Sequence, residues 1–379
     1  MRGIRTKAAA KLILKDGSVF CGYSFGASKS TSGEVVFNTG MTGYPEAMTD
    51  PSYRGQILCL TYPLIGNYGV PAKEYSCGLE KSFESGSIHI RALIVSSYSE
   101  LNSHWSSKKS LGEWMEEFCI PGIYGIDTRA LTKKLREHGT MLGKVIVDNN
   151  AIDDGTEAAG YHNRKFEEIS KSDLVSEVTV SSPTVYKPEE NKKGSKAVIL
   201  VDCGCKNNII RSLLKRNITV IRVPYDYDFN SSGYEFDGIF ISNGPGDPKM
   251  CRDTIRNVRT AMEQETPKPI FGICLGNQIV ALASGADTYK LKYGHRSQNQ
   301  PCIEKSTSRC YITSQNHGYA VDAKTLQPGW KEWFVNANDN TNEGILHKTK
   351  PFMSVQFHPE ATAGPVDTSY LFDRFVEML

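Results

Sequence analysis

The spacing of apolar and polar positions divides the chain into two differently patterned halves. Near the start, the short apolar-rich runs Ala10–Leu14 and Val19–Gly22 flank Lys15-Asp16-Gly17-Ser18, and Asp-Gly between two such runs is a strong hairpin signal. A glycine-bounded strand is predicted over Gly33–Gly40, and helical spacing runs over Ser110–Phe118 and Thr128–His138. Strands and helices follow no regular order in this half. From about Asn149 to Ser195 the composition turns polar, ending in Lys187-Pro188-Glu189-Glu190-Asn191-Lys192-Lys193-Gly194, which has the make-up of a solvated connector.

Beyond that run, strand and helix alternate. Ala197–Val201 is continuously apolar, Ile209, Leu213 and Leu214 share a helical face, and Ile218–Val223 reads as the next strand. Phe236–Ile241 is a third strand, Asp253–Glu265 a helix, and Pro269–Ile273 a fourth strand. This alternation predicts an α/β fold: a mostly parallel sheet with helices on both faces. In the tail, Val366–Leu379, residues Leu371, Phe372, Phe375, Val376 and Leu379 form one stripe, so a closing amphipathic helix is expected. A chain of 379 residues exceeds what one core usually supports. The division expected is a smaller mixed α/β domain over 1–150, a connector over 151–194, and an α/β domain over 195–379.

Composition narrows the function classes. With 44 basic and 42 acidic side chains the net charge is only +2, which lacks the footprint of a nucleic-acid binder. No stretch approaches the roughly 20 apolar residues needed to cross a bilayer, so neither nucleic acid nor membrane is an expected partner. The apolar run Leu12–Leu14 in the basic start is too short for a signal peptide, and the start reads as mature protein. Ten cysteines are scattered, some inside apolar strands such as Ile57–Leu60, which suits reduced thiols and a cytoplasmic setting. Cys203-Gly204-Cys205 has no second Cys/His pair at zinc-like spacing, so no metal is expected. No GxxxxGK[ST] loop is present, so no nucleotide cofactor is expected in this chain.

The candidate chemistry centres on Pro269-Ile270-Phe271-Gly272-Ile273-Cys274-Leu275-Gly276-Asn277-Gln278. An apolar strand running into a glycine-flanked turn and then a helix is the layout of a nucleophile elbow, here with cysteine as the nucleophile. The helix N-terminus, or a nearby imidazole, favours the thiolate, which is the form that attacks carbonyl carbon. By itself Cys274 could equally be a small buried hydrophobe. Two further segments bear on it. Ser242-Asn243-Gly244-Pro245-Gly246-Asp247-Pro248 follows a predicted strand at the sheet's carboxyl end, where ligands bind in such folds. Ser354-Val355-Gln356-Phe357-His358-Pro359-Glu360 delivers a histidine and a carboxylate two residues apart, so both can face one side.

Together, Gly272–Gly276, His358-Pro359-Glu360 and Ser242–Pro248 resemble the class I, triad-type glutamine amidotransferases. Gly40–Tyr53, Thr61–Asn67, Gly125–Arg129 and Ser314–Ala320 narrow the resemblance to the small subunit of carbamoyl-phosphate synthetase, along nearly the whole chain. The resemblance implies that Cys274 is the nucleophile, His358 the general base and acid, and Glu360 the orienting carboxylate. It implies an oxyanion hole from the amides of Gly246 and Leu275. It also implies that L-glutamine is held by Ser52, Gly244, Gly246, Leu275, Gln278, Asn316, Gly318 and Tyr319, with Ser52 coming from the first domain. The implied partner is the synthetase large subunit or a fused synthetase domain, which would carry ATP, magnesium and bicarbonate. Leu60–Gly69 and Lys292–Arg296 are similar to the multifunctional pyrimidine-synthesis type, and an arginine-specific form is the alternative. The family often has histidine where this chain has Asn277. Two rival readings differ in their observables. An α/β esterase or other thiol hydrolase would cleave esters without glutaminase activity. A weak or inactive regulatory domain would not label selectively at Cys274.

Overall fold

The computed structural model describes residues 8–147, 166, 168, 172–189 and 196–379. Asp50–Ser52, Tyr75–Ser85 and the chain from Asp173 onward form one compact unit, and the rest of the described chain forms another.

The first unit is built on a closed barrel. Its strands run in the order Ala9–Leu14, Met141–Val147, Thr31–Asn38, Gln56–Leu60, Ala92–Ile94, Pro121–Tyr124 and Val19–Gly26. The opening hairpin pairs Ile13 with Val19, and Gly17 takes φ +87° in its turn while Asp16 accepts from the Ser18 amide at 3.0 Å. Closure rests on a distant pairing, Leu12 against Val145, which puts Leu12, Val145, Val35 and Leu93 in a dry interior. The Leu111–Glu117 helix begins at a capping box in which Ser110 and Glu113 exchange hydrogen bonds, and Asp127 caps Thr128–His138.

The second unit is organised by a ten-stranded sheet. Its central strands, Thr219–Pro224, Ala197–Asp202, Gly238–Ile241, Ile270–Ile273 and Phe352–Val355, are hydrogen-bonded in that order and all parallel. They are mostly apolar because both faces are covered, with Arg222, Asp202 and Ser354 among the exceptions. Val198 and Leu200 belong to one buried cluster with Phe240, Phe271 and the Tyr370–Met378 helix residues Leu371, Phe372 and Phe375. Ile199 and Val201 belong to the opposite cluster, with Ile241 and the Leu275–Ala283 helix residues Ile279 and Val280.

Past Phe352–Val355 the sheet continues antiparallel through Asn342–His347, Trp330–Asn336, Asp287–Glu304 and Cys310–Asp322. This extension is more polar along its length, and its register shifts between Lys290 and His295 and again between Ser297 and Gln300, so it carries no clean period. Of the segment expected as a connector, 151–194, residues 151–165, 167, 169–171 and 190–194 lie outside the described residues. The described part from Asp173 to Pro188 is built into the second unit: Val175 joins its core, and Thr184–Tyr186 forms the sheet's other edge.

Because the central strands are parallel and in register, the residues that follow them meet at one edge of the sheet. Ile241 pairs with Gly272, and Ile273 with Val355. The segments 203–206, 242–246, 274–278 and 356–360 therefore leave the same carboxyl end, the usual ligand edge of such a sheet.

Candidate active site

Cys274 sits at the turn between the Ile270–Ile273 strand and the Leu275–Ala283 helix with φ 56° and ψ −103°. A cysteine in the positive-φ region is held there against its own preference, and such strain gathers at functional turns. The turn closes because glycines flank it. A Cβ on Gly276 would collide with the Ile241 carbonyl oxygen, and one on Gly244 with that of Cys203. Gly276→Ala is expected to cost about 1–3 kcal/mol through this overpacking, read as a lower midpoint in urea at unchanged slope.

The Cys274 amide donates to the Val355 carbonyl at 2.9 Å, fastening the turn to the strand that leads to His358. Its sulfur lies 3.7 Å from the Asn316 carbonyl oxygen. His358 and Glu360 are both buried, with Nδ1 of the ring 2.6 Å from the carboxylate Oε1. His358 Nε2 has no hydrogen-bond partner. Burial pushes the His358 pKa down, but the Glu360 carboxylate and the Cys274 sulfur outweigh burial and raise it to about 10. The stability this shift supplies is complete below the ordinary histidine value of 6.5 and is lost as pH rises toward 10.

Behind Glu360 lies a buried cation that the sequence reading missed. Lys206 Nζ is 3.0 Å from Glu360 Oε1 and donates to the Ala361 carbonyl at 2.6 Å. Burial alone would raise the Glu360 pKa, but Lys206 and His358 bring it down to about 2. Lys206 also interacts with Glu84, which is wholly buried and paired with Arg211 at 2.6 Å. The available signal was the place of Lys206, just past the carboxyl end of a parallel strand.

The expected glutamine-holding residues fall into linked pairs. Ser52 Oγ accepts from Asn243 Nδ2 at 2.8 Å, and the neighbouring Asp50 accepts from Asn316 Nδ2 at 3.0 Å. Gln278 Nε2 donates to the Tyr319 carbonyl at 2.9 Å and to Gln356 Oε1 at 3.1 Å. Gly244 and Gly246 share the turn after Gly238–Ile241, with Gly246 at φ +87°. Leu275 opens its helix, where amides have no intrahelical acceptor. Gly318 lies on the Cys310–Asp322 strand between Asn316 and Tyr319. Asp50, Asn243 and Gln356 were not foreseen, since each matters through a partner far away in sequence. Asn277 is fully buried, accepting from Ser354 Oγ at 2.8 Å and donating to Gln356 Oε1 at 3.2 Å. It thus braces the sheet against the turn. All ten cysteines are free, and no helix among the described residues is long and apolar enough to cross a membrane.

Residues 199–378 match the class-I glutamine amidotransferase family, and residues 12–145 the CPSase domain of the carbamoyl-phosphate synthase small chain. The carbamoyl phosphate synthase arginine-specific small chain of Aspergillus niger is 48% identical over 97% of this chain and 79% of its own length. This chain belongs to the carbamoyl-phosphate synthase small-chain family. The first half identifies the small chain, and the second carries its amidotransferase fold. Multifunctional protein CAD of Squalus acanthias is 55% identical over 97% of this chain and 16% of that protein. Multifunctional protein pyr1-3 of Dictyostelium discoideum is 50% identical over 97% of this chain and 17% of that protein. The chain thus spans about a sixth of the length of these multifunctional relatives.

Proposed function

We propose that this chain is the glutaminase component of a glutamine-dependent carbamoyl-phosphate synthetase, serving pyrimidine synthesis in the cytoplasm. The observation that carries the reading is the buried His358–Glu360 pair, 2.6 Å apart, just past the carboxyl end of the Phe352–Val355 strand, whose neighbour Ile270–Ile273 ends in the Cys274 turn.

In this mechanism the Cys274 thiolate attacks the side-chain amide carbon of glutamine. The oxygen takes up the negative charge and is held by the Gly246 and Leu275 amides. His358, protonated beside the thiolate, gives its proton to the departing ammonia. The γ-glutamyl thioester is then hydrolysed by a water that His358 deprotonates, releasing glutamate and restoring the thiol. Glu360 holds the ring through Nδ1, which leaves Nε2 to face sulfur, leaving group and water in turn. Ser52, Gly244, Gln278, Asn316, Gly318 and Tyr319 hold the substrate, and the linked pairs Asp50–Asn316 and Gln278–Tyr319 keep that surface in one arrangement.

Ammonia is the reactive product, so its consumer is a partner that binds ATP, magnesium and bicarbonate. The assignment to pyrimidine synthesis rests on the likeness of Leu60–Gly69 and Lys292–Arg296 to the multifunctional type and is supported by the 55% identity to the Squalus protein. Adding the synthetase partner with ATP and bicarbonate is expected to raise the rate of glutamate release. An unchanged rate would remove the coupling and leave a free-standing glutaminase.

A further inference from the structure

A buried polar cluster that the glutaminase chemistry does not use lies across three antiparallel strands. His295 is on Asp287–Glu304, His317 on Cys310–Asp322 and Glu343 on Asn342–His347. All three are buried, and one ligand-type atom from each lies within 4.8 Å of the others. The imidazole rings meet edge-on with centroids 5.0 Å apart.

The partners on the outside of the cluster fix which atoms face inward. His295 Nε2 is 2.8 Å from the Asp339 carboxylate, and His317 Nδ1 is 2.8 Å from the Tyr319 carbonyl. Both partners accept, so these two nitrogens carry the protons and the lone pairs sit on His295 Nδ1 and His317 Nε2. A ring N–H given to a carboxylate or backbone carbonyl, with the opposite nitrogen turned inward, is the outer arrangement of metal-ligating histidines.

The inward atoms are poorly matched to one another. Glu343 Oε1 accepts from Asn336 Nδ2 at 3.0 Å, yet Oε2 has no hydrogen-bond partner. His295 Nδ1 has none either and lies 3.4 Å from Glu343 Oε1. His317 Nε2 faces Gln315 Oε1 at 3.1 Å, lone pair against lone pair. Turning the Gln315 amide would give His317 a donor but would leave Glu343 Oε2 unpartnered. A cation at the centre satisfies the carboxylate and both nitrogens together.

We propose that His295 Nδ1, His317 Nε2 and the Glu343 carboxylate bind one divalent transition-metal ion of the zinc class, with Asp339 and the Tyr319 carbonyl orienting the rings. Two imidazoles and a carboxylate, with one position left for water, form a recurring zinc set. The ion fastens three strands of the antiparallel extension and does not depend on the glutaminase assignment.

The test is titration of the chelator-treated full chain with Co(II), followed by its visible absorption. One equivalent is expected to produce ligand-field bands without a thiolate-to-cobalt charge-transfer band, and Zn(II) is expected to bleach them while raising the melting temperature. Glu343→Gln should abolish the bands. Asp339→Asn, whose side chain is 39% exposed and tolerant of change, should keep them while weakening affinity roughly 10- to 100-fold, with circular dichroism confirming that both variants fold. No stoichiometric uptake, a thiolate band, or uptake unaffected by both substitutions would overturn the proposal.

Discussion

Replacing Cys274 with alanine is expected to lower glutamate release by at least about a thousandfold while leaving the fold intact. The first expectation follows from the removal of a nucleophile whose partners act as one unit, since losing the attacking atom leaves only binding and oxyanion contacts to assist water. The second follows from the backbone. Cys274 holds φ 56° and its amide is bonded to Val355, and alanine keeps that hydrogen bond while adding no bulk to a wholly buried turn. A variant retaining a tenth or more of the activity would move the chemistry elsewhere. A variant that lost cooperative unfolding would show that the thiol is mainly a packing group.

The second large effect is on stability. Lys206→Met is expected to destabilise the protein by about 3–5 kcal/mol, the range found when one partner of a buried ion pair is removed and the other stays charged. The Lys206 ammonium lies 3.0 Å from Glu360 and also offsets the wholly buried Glu84. Methionine fills much of the volume but leaves both carboxylates short of a countercharge. The sign of the pH dependence distinguishes this cause from loose packing. With Lys206 in place the folded-state pKa of Glu360 is about 2 against an ordinary 4.5, so its contribution is present above 4.5 and fades as pH falls toward 2. The difference between wild type and variant should therefore be largest near neutral pH and shrink below about pH 4.5 in urea unfolding. A difference independent of pH would point to packing instead.

These two sites mark how far the sequence could be read. Cys274, His358 and Glu360 were legible because each sits in a local pattern: an apolar strand, a short turn and a polar residue at the strand's carboxyl end. The central parallel strands were legible for a related reason, since Ala197–Val201 is apolar along its whole length and is covered on both faces. Lys206, Asp50 and Asn243 are different in kind. Their roles come from partners 154, 266 and 191 positions away, and nothing in the neighbouring residues encodes such a pairing. The same limit applies to the barrel, whose closure depends on Leu12 meeting Val145. In the antiparallel extension, the register shifts around His295 and Gln300 interrupt the two-residue period by which a strand is recognised. Asp50–Ser52, though early in the chain, is grouped with the second unit, as no composition or periodicity near those residues would have suggested.

Attack of Cys274 on glutamine is read out by mass spectrometry of the acid-quenched protein after brief mixing with saturating glutamine. The expected result is a glutamyl adduct on the peptide containing Cys274, present early in turnover and absent from Cys274→Ala. Glutamate release with no adduct on that peptide at any mixing time, or an adduct on another cysteine, would contradict it.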